Sequence, residues 1–128
     1  MALTKTPATL IAAATSNAAG ATTRGTIDLR SMYGGLLTVK ITNGGTGPTV
    51  QAVANVLIAH DSGTTPTAGS AGTNWKTVAS WGNGTAANTI GEWSMVIDPA
   101  VTHLEVEVTG NTVQAVTCEA FITQLAVL

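Results

Sequence analysis

Apolar and polar residues alternate with a period of two along most of the chain, and β-branched residues fill many of the apolar positions. That is the pattern of strands with one buried face. Thr22 to Ser31 sets Ile27 and Leu29 against Thr26, Asp28 and Arg30, and Gly35 to Thr42 sets Leu37, Val39 and Ile41 against Thr38, Lys40 and Thr42. Asn43-Gly44-Gly45 accepts positive φ angles and predicts a tight hairpin into the next strand. Val50 to His60 is apolar on both sides, with Val50, Val56 and Ile58 opposing Val53 and Leu57. This predicts a strand central in its sheet or covered on its second face. Trp75 to Trp81 follows, then a turn at Gly82-Asn83-Gly84. Glu92 to Asp98 turns Trp93, Met95 and Ile97 inward and stops at Pro99. Thr102 to Thr109 alternates best, with Leu104, Val106 and Val108 opposite His103, Glu105 and Glu107, and Gly110-Asn111 closes it. In Val113 to Leu125, Val116, Cys118, Ala120 and Ile122 share a face.

About eight short strands with regularly spaced turn signals predict an all-β domain, an antiparallel β-sandwich of the jelly-roll kind. The order of the strands in the sheets is not written in the pattern. No useful helical stripe appears: Thr9 to Ala19 is Ala-rich, but Thr15, Ser16 and Asn17 interrupt it and Gly20 ends it. Residues 1–20 therefore read as an extended or irregular N-terminal arm, and residues 21–128 as a single domain. Asp61 to Gly72 is a long loop with no apolar side chain larger than Ala and Pro; loops near this length in compact domains are usually functional or mobile.

Composition changes the picture at the surface. Charged residues are only 9% of the chain, against about 25% in ordinary soluble domains. Thr, Asn, Ser, Gln, Gly and Ala take their place, and such a neutral surface packs against other protein at little desolvation cost. The net charge is -2, and Lys5, Arg24, Arg30, Lys40 and Lys76 are scattered, so no basic footprint for nucleic acid exists. No window approaches the roughly 18 apolar residues of a membrane span. Lys5 followed by Leu10-Ile11-Ala12-Ala13-Ala14 is too short an apolar run for a signal peptide, and export is not expected. The lone cysteine, Cys118, excludes an intrachain disulfide and paired-cysteine zinc sites, and its strand pattern makes it a small buried hydrophobe.

Candidate chemistry is sparse. His103, Glu105 and Glu107 point to one side of a strand, but same-face Cα atoms lie about 6.6 to 7 Å apart, so convergence on one ion is awkward and a solvated outer face is the expectation. His60 and Asp61 are neighbours that point to opposite faces, unsuited to act as a base and its orienting acid; Asp61 suits a turn. No Gly-x-Ser-x-Gly elbow, phosphate loop or dinucleotide fingerprint is present. The expectation is a protein that is not an enzyme, with no cofactor and no metal. Trp75 and Trp81 are six apart and share a face if their strand is unbroken. They can be core residues, interface anchors or a sugar platform. Asn83-Gly84-Thr85 matches a glycosylation sequon, which in a Gly- and Thr-rich turn reads as chance.

The segment from Ile97 through Thr112, with Thr102-His103-Leu104-Glu105-Val106-Glu107-Val108-Thr109-Gly110-Asn111 at its heart, continues into Val113-Gln114-Ala115-Val116-Thr117-Cys118-Glu119-Ala120. It resembles small virion proteins of tailed bacteriophages, and the Leu10-Ile11-Ala12-Ala13-Ala14-Thr15-Ser16 opening is similar in style. The class it is most similar to is the capsid cement or decoration proteins. The resemblance implies a compact β-sandwich made in the host cytoplasm and carried on the capsid exterior, a homo-oligomer, dimer or trimer, whose partner is the major capsid protein. It brings no catalytic residue. In that setting Trp75, Trp81, Leu10 and Ile11 are the candidate interface residues, the last two on the arm that would reach over neighbouring subunits. The alternative is a tail, baseplate or fibre module, with Trp75 or Trp81 as the residues through which a glycan-binding form of it would recognise a host sugar.

Overall fold

The computed structural model describes residues 2–60, 66–69 and 75–128. Eight strands carry these residues: β1 (Leu3–Asn17), β2 (Thr23–Asp28), β3 (Gly35–Asn43), β4 (Val53–Ala59), β5 (Lys76–Gly82), β6 (Ile90–Ile97), β7 (His103–Thr109) and β8 (Val116–Val127). They form two antiparallel sheets, ordered β1-β8-β3-β6 and β2-β7-β4-β5. Only β4 and β5 are consecutive strands in one sheet; every other connection crosses between the sheets. This is the two-layer antiparallel sandwich that the strand pattern predicts.

The alternating residues meet between the layers. Leu37, Val39 and Ile41 of β3 and Val116, Cys118, Ala120 and Ile122 of β8 face Ala54 and Val56 of β4 and Leu104, Val106 and Val108 of β7, all buried. β4 lies between β7 and β5, as its two apolar sides predict.

The expected hairpin at Asn43-Gly44-Gly45 does not form. β3 and β4 belong to different sheets, and among the described glycines positive φ falls at Gly20, Gly34, Gly69, Gly84 and Gly110. The reason is a polar lock. Buried Asn43 donates through Nδ2 to the carbonyls of Gly84 and Ala86 and accepts from Asn83 Nδ2 at 2.9 Å, so the chain leaving β3 is tied to the turn before β6. A second lock joins Asn17 Nδ2 to Asn111 Oδ1 at 2.6 Å, with Thr23 Oγ1 donating to Asn17 Oδ1 at 2.7 Å. Because Asn83 is buried in the first lock, the sequon residue has no side-chain amide facing solvent.

The stretch expected as an arm is extended, and Leu3–Asn17 forms the edge strand β1 along β8. Its register slips between Ile11 and Thr15, where Ala14 adopts a φ of 57° and Thr15 Oγ1 donates to the Ala12 carbonyl at 2.6 Å. Gly25 of β2 has a reason to be glycine: a Cβ there would sit 2.2 Å from the Leu10 carbonyl oxygen, so β1 crosses β2 backbone against backbone. Ile11 is buried in the core and Leu10 packs half-buried against it. These two candidate interface residues are thus spent on the chain's own core.

Candidate interaction surfaces

The outer face of the second sheet is ionic and partly covered. Arg24, Asp28, Arg30, Glu105 and Glu107 gather there, five of the chain's twelve charged side chains. The expected solvated row on β7 is not what forms, since His103 and Glu105 are both fully buried. The cover comes from outside the strand. Gly69 donates its backbone N–H to both Glu105 oxygens, at 3.1 and 3.3 Å, and Thr26 Oγ1 donates to Oε1 at 3.3 Å. Gly69 has a φ of +73°, and a Cβ there would meet the Arg24 guanidinium, so glycine fits on both counts. Glu107 accepts from Asn55 Nδ2 at 3.0 Å and pairs with Arg24 at 3.3 Å.

Burial sets the electrostatics of this face. It pushes the Glu105 carboxyl above the ordinary carboxylate range, an effect opposed by the Gly69 and Thr26 hydrogen bonds. Burial also pushes His103 below the usual imidazole value, opposed by the Asp28 carboxylate 3.7 Å from Nε2. Asp28 itself is lowered to about 2 because the Arg30 side chain and backbone N–H both donate to it. The carboxylates of the cluster all find partners, while His103 Nε2 is buried without a hydrogen bond, with Asp28 Oδ1 at 3.7 Å. Among the described residues, no group of three or more His, Cys, Asp or Glu side chains is placed to hold a metal ion.

The tryptophans separate. The pairing of β4 with β5 shifts register between Val56 and Leu57, where Ala79 and Thr77 are the successive partners and Val78 is the extra residue. One inserted residue reverses which face later side chains occupy. Trp81 therefore faces the main core and stacks on Trp93 of the other sheet, with ring centroids 5.7 Å apart and planes 11° apart. Trp75 falls on the outer side, buried with Leu57 and Ala59 under the Pro66–Gly69 segment, and donates from Nε1 to the Thr67 carbonyl at 2.9 Å. The two candidate anchors do not share a face, because the strand between them is bulged.

The other residues weighed for chemistry are apart from one another. His60 is exposed just beyond β4, and Asp61 lies outside the described residues, as does most of the long loop. Cys118 is buried in the core, and burial pushes its thiol up to about 11, far from nucleophilic use.

The outer face of the first sheet is the opposite of the second. Leu36, Val96 and Phe121 project from it with 50%, 77% and 40% of their surface exposed. Cross-strand pairing places Leu36 beside Val96 and Thr123, and Phe121 beside Thr38 and Thr9. Tyr33, Leu36, Val96, Pro99 and Leu125 line a groove of about 440 Å³ with Lys5 at its rim. Sequence reasoning missed this face. Its signal is a set of apolar doublets, Leu36-Leu37, Val96-Ile97 and Phe121-Ile122, in which one member must point away from the core.

No family model and no curated protein matches the chain. Similar folds occur among solved structures. The K3 cleaved adhesin domain of Lys-gingipain from Porphyromonas gingivalis W83 aligns at a TM-score of 0.57 and 11% identity, over 86% of this chain and 70% of that one. The T=1 particle of infectious bursal disease virus aligns at 0.56 and 12% identity, over 97% of this chain and 31% of that one. The VP2 subviral particle of the same virus aligns at 0.54 and 10% identity, over 97% and 33%. The chain thus spans about a third of the length of the viral chains it matches. What is shared is the β-sandwich fold.

Proposed function

We propose that the chain is a structural virion protein, a cement that binds the outer surface of a phage capsid lattice as a homo-oligomer and stabilises it through contacts, without catalysis. The observation that carries this reading is the bare apolar centre of the outer face of the first sheet, formed by Leu36, Val96 and Phe121. Exposed contiguous apolar surface on a soluble body marks a place where other protein packs. The strand β7 and its flanks carry the virion-protein resemblance, and the fold is one that a viral capsid particle also uses. A rigid sandwich with a neutral exterior suits a role in which many copies engage together, so that weak single contacts sum to high avidity.

The test is co-sedimentation of the purified chain with expanded and unexpanded phage heads. Saturable, stoichiometric binding to expanded heads that raises their resistance to heat or chelator supports the reading. Absence of binding, together with absence of the chain from purified virions by mass spectrometry, sinks it. The alternative is a tail, baseplate or fibre module, for which Trp75 and Trp81 are the candidate sugar platform in a glycan-binding form. Trp75 is buried, and Trp81 is half-buried with one ring face stacked on Trp93. Immunogold labelling of particles separates head from tail.

A further inference from the structure

The bare face of the first sheet is polarised along its strands, and we propose that its occupant is a second copy of this chain, docked face to face about a two-fold axis that runs across the strands. The inference rests on reading that face as a protein contact.

The register gives the layout. Cross-strand pairing sets outward residues in rows: Lys5 with Leu125; then Pro7, Thr123, Leu36 and Val96; then Thr9, Phe121, Thr38 and Ser94; then Glu119, Lys40 and Glu92. Consecutive rows on one face are about 6.6 to 7 Å apart, so the first and last of these lie about 20 Å apart. The two ends carry opposite charge. At one end stands Lys5, and among the described residues no carboxylate pairs with it. At the other, one lysine serves two glutamates: Lys40 pairs with Glu119 at 3.7 Å and lies across from Glu92, leaving an excess negative charge.

A two-fold axis across the strands, between the Leu36 and Phe121 rows, exchanges the ends and keeps each strand over its own copy. It brings Lys5 of one copy beside Glu119 of the other, twice. It also brings Phe121, the aromatic knob of the face, over the row that holds Thr123 and Leu36, at the wall of the groove that Tyr33, Leu36, Val96 and Leu125 line. Knob and groove sit on opposite sides of the axis, so each copy offers what the other lacks. Self-complementarity of this kind is what an isologous interface requires. Apolar centre, hydroxyl surround and charge at the ends match the usual order from interface core to rim.

Sedimentation velocity of the wild-type chain from 1 to 300 μM gives the first reading, with a dimer expected. Leu36→Glu is expected to leave monomer throughout that range, and Phe121→Ala to weaken the dimer at least tenfold. Lys5→Glu and Glu119→Lys each weaken it several-fold, and the double exchange restores it. Lys5→Cys combined with Glu119→Cys adds a geometric readout, an intermolecular disulfide seen as a dimer band on a non-reducing gel. Near-ultraviolet circular dichroism checks that each variant is folded. A wild-type chain that stays monomeric at 300 μM, or a dimer indifferent to Leu36→Glu and Phe121→Ala, overturns the proposal. If that monomer still binds heads, the self-pairing fails while the cement reading stands. A dimer of this geometry that ignores heads supports the self-pairing and sinks the cement reading.

Discussion

The two outer faces of this sandwich differ more than its two inner faces do. On β2-β7-β4-β5, charges are gathered and part of the face is covered: Glu105 is buried and held by the Gly69 N–H, and Trp75 is buried with Leu57 and Ala59, its Nε1 bonded to the Thr67 carbonyl of the same short segment. On β1-β8-β3-β6, the charges stand at the two ends of the strands, and nothing among the described residues covers Leu36, Val96 or Phe121 between them. Buried charge must find partners within the chain, because an unpaired one costs far more than an exposed one. Exposed apolar area has no such need and remains available to another molecule. The covered face is therefore a stabilising element, and the bare face is the one proposed to meet other protein.

The largest effect is expected from opening the covered face. Trp75→Ala removes the centre of its small cluster and the donor to the Thr67 carbonyl, and should lower unfolding free energy by about 3–5 kcal/mol in a urea titration. A loss below about 1 kcal/mol would show that the cover contributes little. Next comes Glu105→Ala, which strands the Gly69 N–H and leaves a void, at about 1–3 kcal/mol. Glu105→Gln keeps an acceptor for that N–H while removing a buried charge, and should equal or exceed the wild type at neutral pH.

Acid and base act on this face with opposite signs. Burial lowers the His103 pKa from its ordinary 6.5, so the unfolded chain binds a proton that the folded chain refuses, and stability falls as pH drops below 6.5. His103→Gln should flatten that slope in thermal melts between neutral and mildly acid pH. Burial raises the Glu105 pKa above 4.5. Its favourable share is full below 4.5 and is lost as pH rises through the folded-state value. The advantage of Glu105→Gln should therefore vanish at the acid end.

The smallest effect on folding is expected from the bare face. Val96→Thr should change stability by less than about 0.5 kcal/mol, and Leu36→Ser by little more, while both weaken self-association in sedimentation velocity and, through the lost avidity, co-sedimentation with expanded heads. A bare-face substitution as costly to folding as Trp75→Ala would erase the contrast between the faces.

Much of the core is legible in the alternation alone. Leu37, Val39, Ile41, Leu104, Val106, Val108, Val116, Cys118, Ala120 and Ile122 all lie inside as alternation predicts, because period two is a local property of an extended backbone. Four things are not legible. Asn43-Gly44-Gly45 suits a hairpin as well as a crossing between sheets, and a buried pair of asparagines distant in sequence decides it. The split of Trp75 from Trp81 depends on a single extra residue, Val78, that no alternation rule marks. Leu10 and Ile11 read as arm residues and serve the core, since β1 crosses β2 at Gly25. The charged side of β7 looks solvated in the sequence because its cover comes from residues 66–69, more than thirty positions away.

By itself, the sequence determined that this chain is all-β, that its strands alternate, which residues of β3, β7 and β8 enter the main core, and that the chain is short of charge. Those follow from side-chain chemistry acting between near neighbours. Only the tertiary structure decided which strands share a sheet, which outer face buries His103, Glu105 and Trp75 and which leaves Leu36, Val96 and Phe121 open. Those depend on pairings between distant segments, and one inserted residue or one crossing loop reverses them.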